Sequence, residues 1–168
     1  MLLSNTEFCR DIECFLELFE EAFGRRATKE YFLWRYADKP IDDFLPINIF
    51  IENGKFIANY SANPIVLTYK GGDLPFLLSM TTMTRPGYEG KGLPAKLGNE
   101  LYRWASAKGI FGVIGFPNNK IHYIRRIKLG WEDIYEVPMF SLTEFSDRKF
   151  KSEAITPSNR INGEIESP

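Results

Sequence analysis

The chain has 168 residues, 44% of them hydrophobic and 26% charged, close to the averages of soluble globular domains, about 45–50% and about 25%. That balance excludes a disordered chain and a protein built mostly of membrane spans. Lys and Arg number 21 against 22 Asp and Glu, a formal net charge of -1, so no global basic field draws the chain to nucleic acid or to acidic lipid.

The opening MLLSNTEFCRDIE loses its apolar run after Leu3 and turns acidic, which is neither a signal peptide nor a membrane anchor. Thr6 is placed to cap a helix in which Phe8, Ile12, Phe15, Leu16, Phe19 and Phe23 recur at three- and four-residue steps up to Gly24. Cys9 and Cys14 fall on different faces of that helix; the separation does not suit a bridge between them, and a reducing, cytoplasmic location is expected. Thr28 and Glu30 lead into a second, short helix rich in aromatics, which Pro40 forbids from continuing.

Around Asn53-Gly54 the residues alternate as a hairpin does, and two further runs, 65–69 and 75–84, are split by Gly71-Gly72-Asp73. The first half thus ends in a meander of roughly four strands. Leu93, Leu97, Leu101, Tyr102 and Trp104 then form one helical face to about Lys108, stopped by Gly109. Residues 110–116 read as a buried strand. Asn118 or Asn119 caps a helix through Ile121, Ile124, Ile127 and Lys128 that closes at Gly130, and 131–141 read as one or two strands interrupted by Pro138.

This order defines an α/β (α+β) fold: a mixed, mostly antiparallel central sheet of six to seven strands with about four helices. Residues 1–145 form that domain. From Ser146 the charges scatter, Pro157 and Pro168 appear and no period survives, so 146–168 is a flexible tail or a linker. Residues 137–140 form an edge strand able to pair with a second copy, which makes a homodimer an expectation.

A strand running into RPGYEGKG and then a helix places several backbone N–H groups at a helix N-terminus, where the dipole favours an anion such as phosphate. Gly87, Gly90 and Gly92 let the backbone approach without a Cβ in the way, and Lys91 adds a positive charge at the rim. The run is neither a P-loop nor a GxGxxG dinucleotide fingerprint. Without context, a glycine-rich turn ahead of a helix accounts for it equally well. His122 is the only histidine and no CxxC occurs, so no metal site is expected.

TMTRPGYEGKGLPAKLGNELYRWASAKG, followed by VIGFPNN and IKLGW, resembles the signature of the GNAT superfamily of acetyl-CoA-dependent acyltransferases over about residues 19–140. FLWRYADKP also looks like a segment of a branch associated with polysaccharide and cell-surface biosynthesis. The resemblance implies acetyl-CoA as co-substrate and a small-molecule amine, such as an amino sugar, as acceptor. No nucleic-acid or membrane partner is implied. It implies that Glu89, Gly90, Lys91, Gly92, Leu93 and Pro94 cradle the pyrophosphate, that Met83 and Thr84 offer backbone groups to the pantetheine arm, and that Asn118 or Asn119 lies beside that arm. Residues 113–116 fit the strand that splays from its neighbour to leave a slot for the thioester.

Departures accompany the match. Glu89 is an acid where a basic or amide residue is common, and it would be repelled by a pyrophosphate unless its side chain turned away. Pro94 has no N–H to lend. Arg126 stands where many members carry the tyrosine that protonates the leaving thiolate, and it instead joins Arg125 and Lys128 as a candidate contact for the cofactor's terminal phosphate. Tyr123, one helical turn earlier, and His122, whose ordinary pKa lies near 6.5, are the candidate proton carriers. Ser79, Thr81, Thr82 and Thr84 make a hydroxyl-rich strand whose alternate members share a face. A binding module that kept the fold and lost the acid is the competing reading.

Overall fold

The computed structural model describes residues 1–37 and 39–135. The apolar steps of the N-terminus wind into helices, but in two pieces: α1 (Asn5–Arg10) and α2 (Ile12–Phe23), parted at Asp11. The first cap is Ser4, not Thr6. Its Oγ accepts from the Glu7 N–H at 3.2 Å while the Glu7 carboxylate accepts from the Ser4 N–H at 2.9 Å, a reciprocal capping box. Ahead of it Leu2–Ser4 form a short strand, β1, which the sequence reading does not anticipate. Thr28 caps α3 (Lys29–Phe32), which widens into a π-helical turn over Leu33–Ala37.

The strands that follow are β2 (Phe44–Glu52), β3 (Lys55–Tyr69) and β4 (Gly72–Thr84). The expected meander of four is therefore three, because the runs on either side of Pro64 belong to one strand. Pairing between β2 and β3 stops at Ile47 opposite Ser61. Beyond that point β3 has an unpaired side, where a proline's missing N–H is tolerated. After α4 (Leu93–Ala107) comes β5 (Gly112–Gly115), parallel to β4, and then α5 (Asn119–Leu129), capped by Asn118. β5 is shorter than expected and only half-buried; Phe111 and Phe116 at its ends are 69% and 74% exposed.

The described sheet has five strands in the order β1-β2-β3-β4-β5, antiparallel except for the last pair. The mixed, mostly antiparallel sheet is as the sequence predicts. Residues 131–135 are not strand; the rest of the expected final strand, its edge at 137–140 and the tail at 146–168 lie outside the described residues. Each sheet face is covered by its own apolar cluster. Phe8, Ile12, Phe15, Leu18, Phe32 and Tyr36 pack on Leu45, Ile47 and Ile49 on one side. Leu97, Leu101 and Ala105 of α4 pack on Ala58, Tyr60, Ala62 and Leu77 on the other. Among the described residues no helix is long and apolar enough to cross a membrane, and both cysteines are free.

Candidate active site

Between Ser61 opposite Met80 and Asn59 opposite Met83, one residue of β3, Tyr60, faces two of β4, Thr81 and Thr82. This is a bulge, and it re-aims the strand. Ser79 points to the α4 side, where its Oγ donates to the Tyr60 hydroxyl at 3.3 Å, whereas Met83 packs with Phe8 and Phe56 on the other. The hydroxyl-rich strand thus does not keep the simple alternation expected of it. Thr81 has φ of 51°, a left-handed conformation that costs a β-branched residue about 1–3 kcal/mol and persists only where its surroundings enforce it. Here they do. Asn59 Nδ2 donates to the Thr81 carbonyl at 2.5 Å, Ser61 Oγ donates to the Met80 carbonyl at 2.9 Å, and the Tyr36 hydroxyl meets Ser61 Oγ at 2.9 Å. Burial pushes the Tyr36 hydroxyl above the ordinary tyrosine range.

β5 stays beside β4 only from Phe76–Gly112 to Ser79–Gly115. β4 runs on to Thr84, while the other chain leaves through Phe116 and Pro117 to α5. The strands part just ahead of the bulge. Gly115 is required at that fork: a Cβ there would lie 3.0 Å from the Ser79 carbonyl oxygen and 3.2 Å from both Arg125 Nη1 and a Trp131 ring carbon. Arg125 is 3% exposed and stacks over Trp131 at 4.5 Å while its Nη2 donates to Ser79 Oγ at 2.7 Å. Trp131 Nε1 donates to the Tyr102 hydroxyl at 2.8 Å, and that hydroxyl lies 2.5 Å from the Tyr60 hydroxyl. Burial, then the neighbouring Tyr60, push the Tyr102 hydroxyl well above its ordinary range. This network fastens α5 and Trp131 to β3, β4 and α4.

At the end of β4, Arg85 is buried; its Nε donates to the Phe56 carbonyl at 3.1 Å, and its guanidinium pairs with Glu21 and, at 3.6 Å, with Glu17. From this anchor the loop turns through Gly87, Gly90 and Gly92, with φ of 85°, 76° and 72°, conformations that suit glycine, and a Cβ at any of them would meet nothing within 4 Å. Of the backbone N–H groups in this loop, that of Gly87 is already taken. Glu89 turns its carboxylate onto the Gly87 N–H at 2.6 Å. Lys91 lies over the Tyr88 ring at 4.1 Å, and Gly92 and Pro94 begin α4.

Met83 and Leu93 are 2% and 8% exposed, so their side chains belong to the core. Thr84 ends β4 opposite Ala58. Asn118 spends its Oδ1 capping α5, accepting from the Ile121 N–H at 3.2 Å, and Asn119 is the exposed first residue of that helix. One turn on, His122 Nε2 and Asp133 Oδ1 are 2.7 Å apart, and Arg126 Nη1 lies 3.3 Å from Asp133 Oδ2. The contact with His122, more than that with Arg126, holds the Asp133 carboxyl below its usual range. Tyr123 is 66% exposed and makes no side-chain hydrogen bond among the described residues. On this helix Arg125, not Arg126, turns inward. Tyr36 and Tyr60 are core, and Trp34 is 67% exposed. Asn59 and Ser61, which brace the bulge, are absent from the sequence reading; buried polar residues flanking Tyr60 inside an apolar strand were the available signal. An apolar hollow of about 390 Å³, lined by Pro64, Pro75, Phe76 and Ile110 among others, lies at the opposite end of β4.

A strand parting from a parallel neighbour beside a glycine loop and helix is the arrangement the resemblance implies; the bulge is an addition of the structure. The sequence profile described as acetyltransferase (GNAT) domain matches residues 9–134. The chain belongs to the GNAT acetyltransferases. No curated protein sequence matches this GNAT chain. Among solved structures, an acetyltransferase of Trypanosoma brucei is similar at 18% identity with a TM-score of 0.60, covering 84% of this chain and 97% of that one. Glucosamine-6-phosphate N-acetyltransferase from Arabidopsis thaliana aligns at 15% identity and TM-score 0.63, over 86% of this chain and 97% of its own. AAC(6')-Iy, bound to a bisubstrate analogue of CoA and acetylneamine, aligns at 16% identity and TM-score 0.60, over 84% and 95%. At these identities the structural likenesses speak to the GNAT fold.

Proposed function

We propose that this GNAT domain transfers acetyl from acetyl-CoA directly to the amine of a small molecule, with an amino sugar as the acceptor class. The observation that carries the reading is the bulged end of β4 parting from β5 directly before a loop of three left-handed glycines. The pyrophosphate would lie on the backbone of Glu89, Gly90, Lys91, Gly92 and Leu93, with Pro94 adding shape but no donor. Met83 and Thr84 would offer backbone groups to the pantetheine, Asn118 and Asn119 would flank it across the gap, and Arg126 would reach toward the terminal phosphate. Those residues hold and orient, and proximity supplies much of the rate.

In the transfer, the amine lone pair attacks the carbonyl carbon and the C=O pair moves onto oxygen. Collapse of the tetrahedral intermediate breaks the C–S bond, sulfur leaves with the pair and takes a proton, and the new amide nitrogen loses one. Backbone N–H groups at the bulge would be the preorganised dipoles for the transient oxyanion. His122 is the better supported proton carrier, because Asp133 fixes one ring nitrogen and leaves the other to exchange protons. Tyr123 is the alternative. The experiment is turnover with a panel of amines and free-thiol detection: His122→Gln slows it at least tenfold if His122 carries the proton, Tyr123→Phe does so if the tyrosine does, and absence of thiol release by the wild type with every amine overturns the reading. A second reading, a binding module without turnover, draws on the Glu89 carboxylate seated on the Gly87 amide; binding of acetyl-CoA without thiol release would favour it.

A further inference from the structure

The gap between β4 and β5 has two sides. The glycine loop, α4 and α5 belong to one, so a substrate held there leaves the thioester open to the other, where α3 and the π-helical turn cover the sheet. Arg35 sits in that turn, between Trp34, which is exposed, and Tyr36, whose hydroxyl reaches Ser61 and so braces the bulge. Its guanidinium rests against Met80, the residue that immediately precedes the bulge: Nε and Nη2 lie 3.0 and 2.7 Å from the Met80 sulfur. Nη1 donates to the Tyr31 hydroxyl.

A thioether is a weak acceptor, and a guanidinium carries five donors in a planar fork. Arg10, Arg26, Arg85 and Arg126 pair with carboxylates; among the described residues Arg35, like Arg25, Arg103 and Arg125, has no carboxylate within 4 Å. Among the described residues its half-buried charge is met by sulfur, a hydroxyl and the faces of Tyr31 and Tyr36 at 5.5 and 5.9 Å. The surrounding rim repeats the theme. Tyr31 and Trp34 are 40% and 67% exposed with centroids 6.0 Å apart, and Lys39 lies over Trp34 at 5.8 Å. Exposed rings suit the apolar face of a sugar, and two cations beside them repel a polycation and attract an anion.

From this we infer that Arg35 is the specificity-determining residue for the acceptor, and that the acceptor is an amine which also carries a phosphate or carboxylate group. Arg35 binds the anion with two donors, displacing its contact with Met80, and the amine is thereby set at the bulge. The inference rests on the preceding reading that transfer occurs at this gap.

The test is calorimetry on the full chain saturated with CoA, titrated with glucosamine, glucosamine 6-phosphate and the uronic acid of glucosamine, at two salt concentrations. At least one anionic sugar binds tenfold or more tighter than glucosamine, the difference shrinks with salt, and the stronger of the two tells phosphate from carboxylate. Arg35→Met reduces the preference to about one, Arg35→Lys restores part of it, and acetyl-CoA affinity and the melting temperature stay as in the wild type. Equal binding of the three, tighter binding of glucosamine, binding of none, or a preference that survives in both Arg35→Met and Arg35→Gln overturns the inference while acetyl-CoA binding stands. Failure of acetyl-CoA itself to bind overturns the underlying reading, and this inference with it.

Discussion

Removing the Ser61 hydroxyl tests whether the bulge is held as described. Ser61 is fully buried and its Oγ serves the Met80 carbonyl, the Tyr36 hydroxyl at 2.9 Å and Asn59 Nδ2 at 3.3 Å. In Ser61→Ala, Asn59 keeps its bond to the Thr81 carbonyl, but the Tyr36 hydroxyl is left in the core without this partner and the Met80 carbonyl loses its side-chain donor. One net hydrogen bond is worth about 1 kcal/mol and a stranded buried hydroxyl about 1–3 kcal/mol, so the change destabilises by roughly 2–4 kcal/mol. At about 2–4 °C per kcal/mol for a chain of this size, the melting temperature falls by roughly 4–16 °C. Tyr36→Phe removes the hydroxyl from the other end, leaves Ser61 bonded to Met80, and costs less, about 1 kcal/mol. The assay is thermal melting of both variants and their double mutant, with kcat/KM alongside. Because the bulge faces the reacting carbonyl in the proposed function, Ser61→Ala also lowers kcat/KM about tenfold, near 1.4 kcal/mol. A Ser61→Ala melting temperature no lower than that of Ser106→Ala, an exposed serine on α4, refutes the reasoning.

Gly115→Ala presses a methyl group onto the Ser79 carbonyl, Arg125 and Trp131; after the backbone gain of losing a glycine it costs about 1–2 kcal/mol, and urea unfolding that shows no loss would mean the fork is not tightly packed. Glu89→Ala removes a like charge and frees the Gly87 N–H, so acetyl-CoA binds roughly threefold to tenfold tighter by calorimetry at low salt, about 0.7–1.4 kcal/mol; unchanged affinity would place the pyrophosphate elsewhere. Tyr36 and Tyr102 both have raised hydroxyl pKa values in the folded chain. As the pH climbs past about 10 the unfolded chain releases these protons first, so their contribution to stability is complete below that pH and is lost above it. Denaturation midpoints read between pH 8 and pH 11 fall on the alkaline side, and the fall is shallower in Tyr102→Phe.

The parts of this molecule that follow from local rules were legible in its sequence. Helix α4, its stop near Lys108, an asparagine cap at 118 or 119 and the hairpin at Asn53-Gly54 rest on period, capping and turn chemistry, each contained in a few neighbouring residues. The parting of α1 from α2 was not, because Phe8, Ile12 and Phe15 keep one face across Asp11 and the period gives no sign of a break. The bulge was invisible for a different reason. It arises from the offset between two strands and reverses which side Met83 and Ser79 face, a choice made by packing partners far apart in the chain. The same limit applies on α5: a basic run shows that cations cluster, while a rotation of one residue decides that Arg125 enters the core and Arg126 pairs with Asp133. Glu89 was legible as a conflict with an anion, but not as the ligand of Gly87. Arg35 was visible only as part of the FLWRYADKP segment, and its contact with Met80 was not legible, since Met80 lies on another element.

The most direct test of the account is calorimetric titration of the intact chain with acetyl-CoA and with desulfo-CoA, repeated on Gly90→Glu. One saturable site with Kd below about 100 μM, equivalent to roughly 5.5 kcal/mol, is expected for both ligands in the wild type, with loss of binding in a variant that still melts as a folded protein. No heat at millimolar ligand in the wild type, or equal affinity in Gly90→Glu, would contradict it.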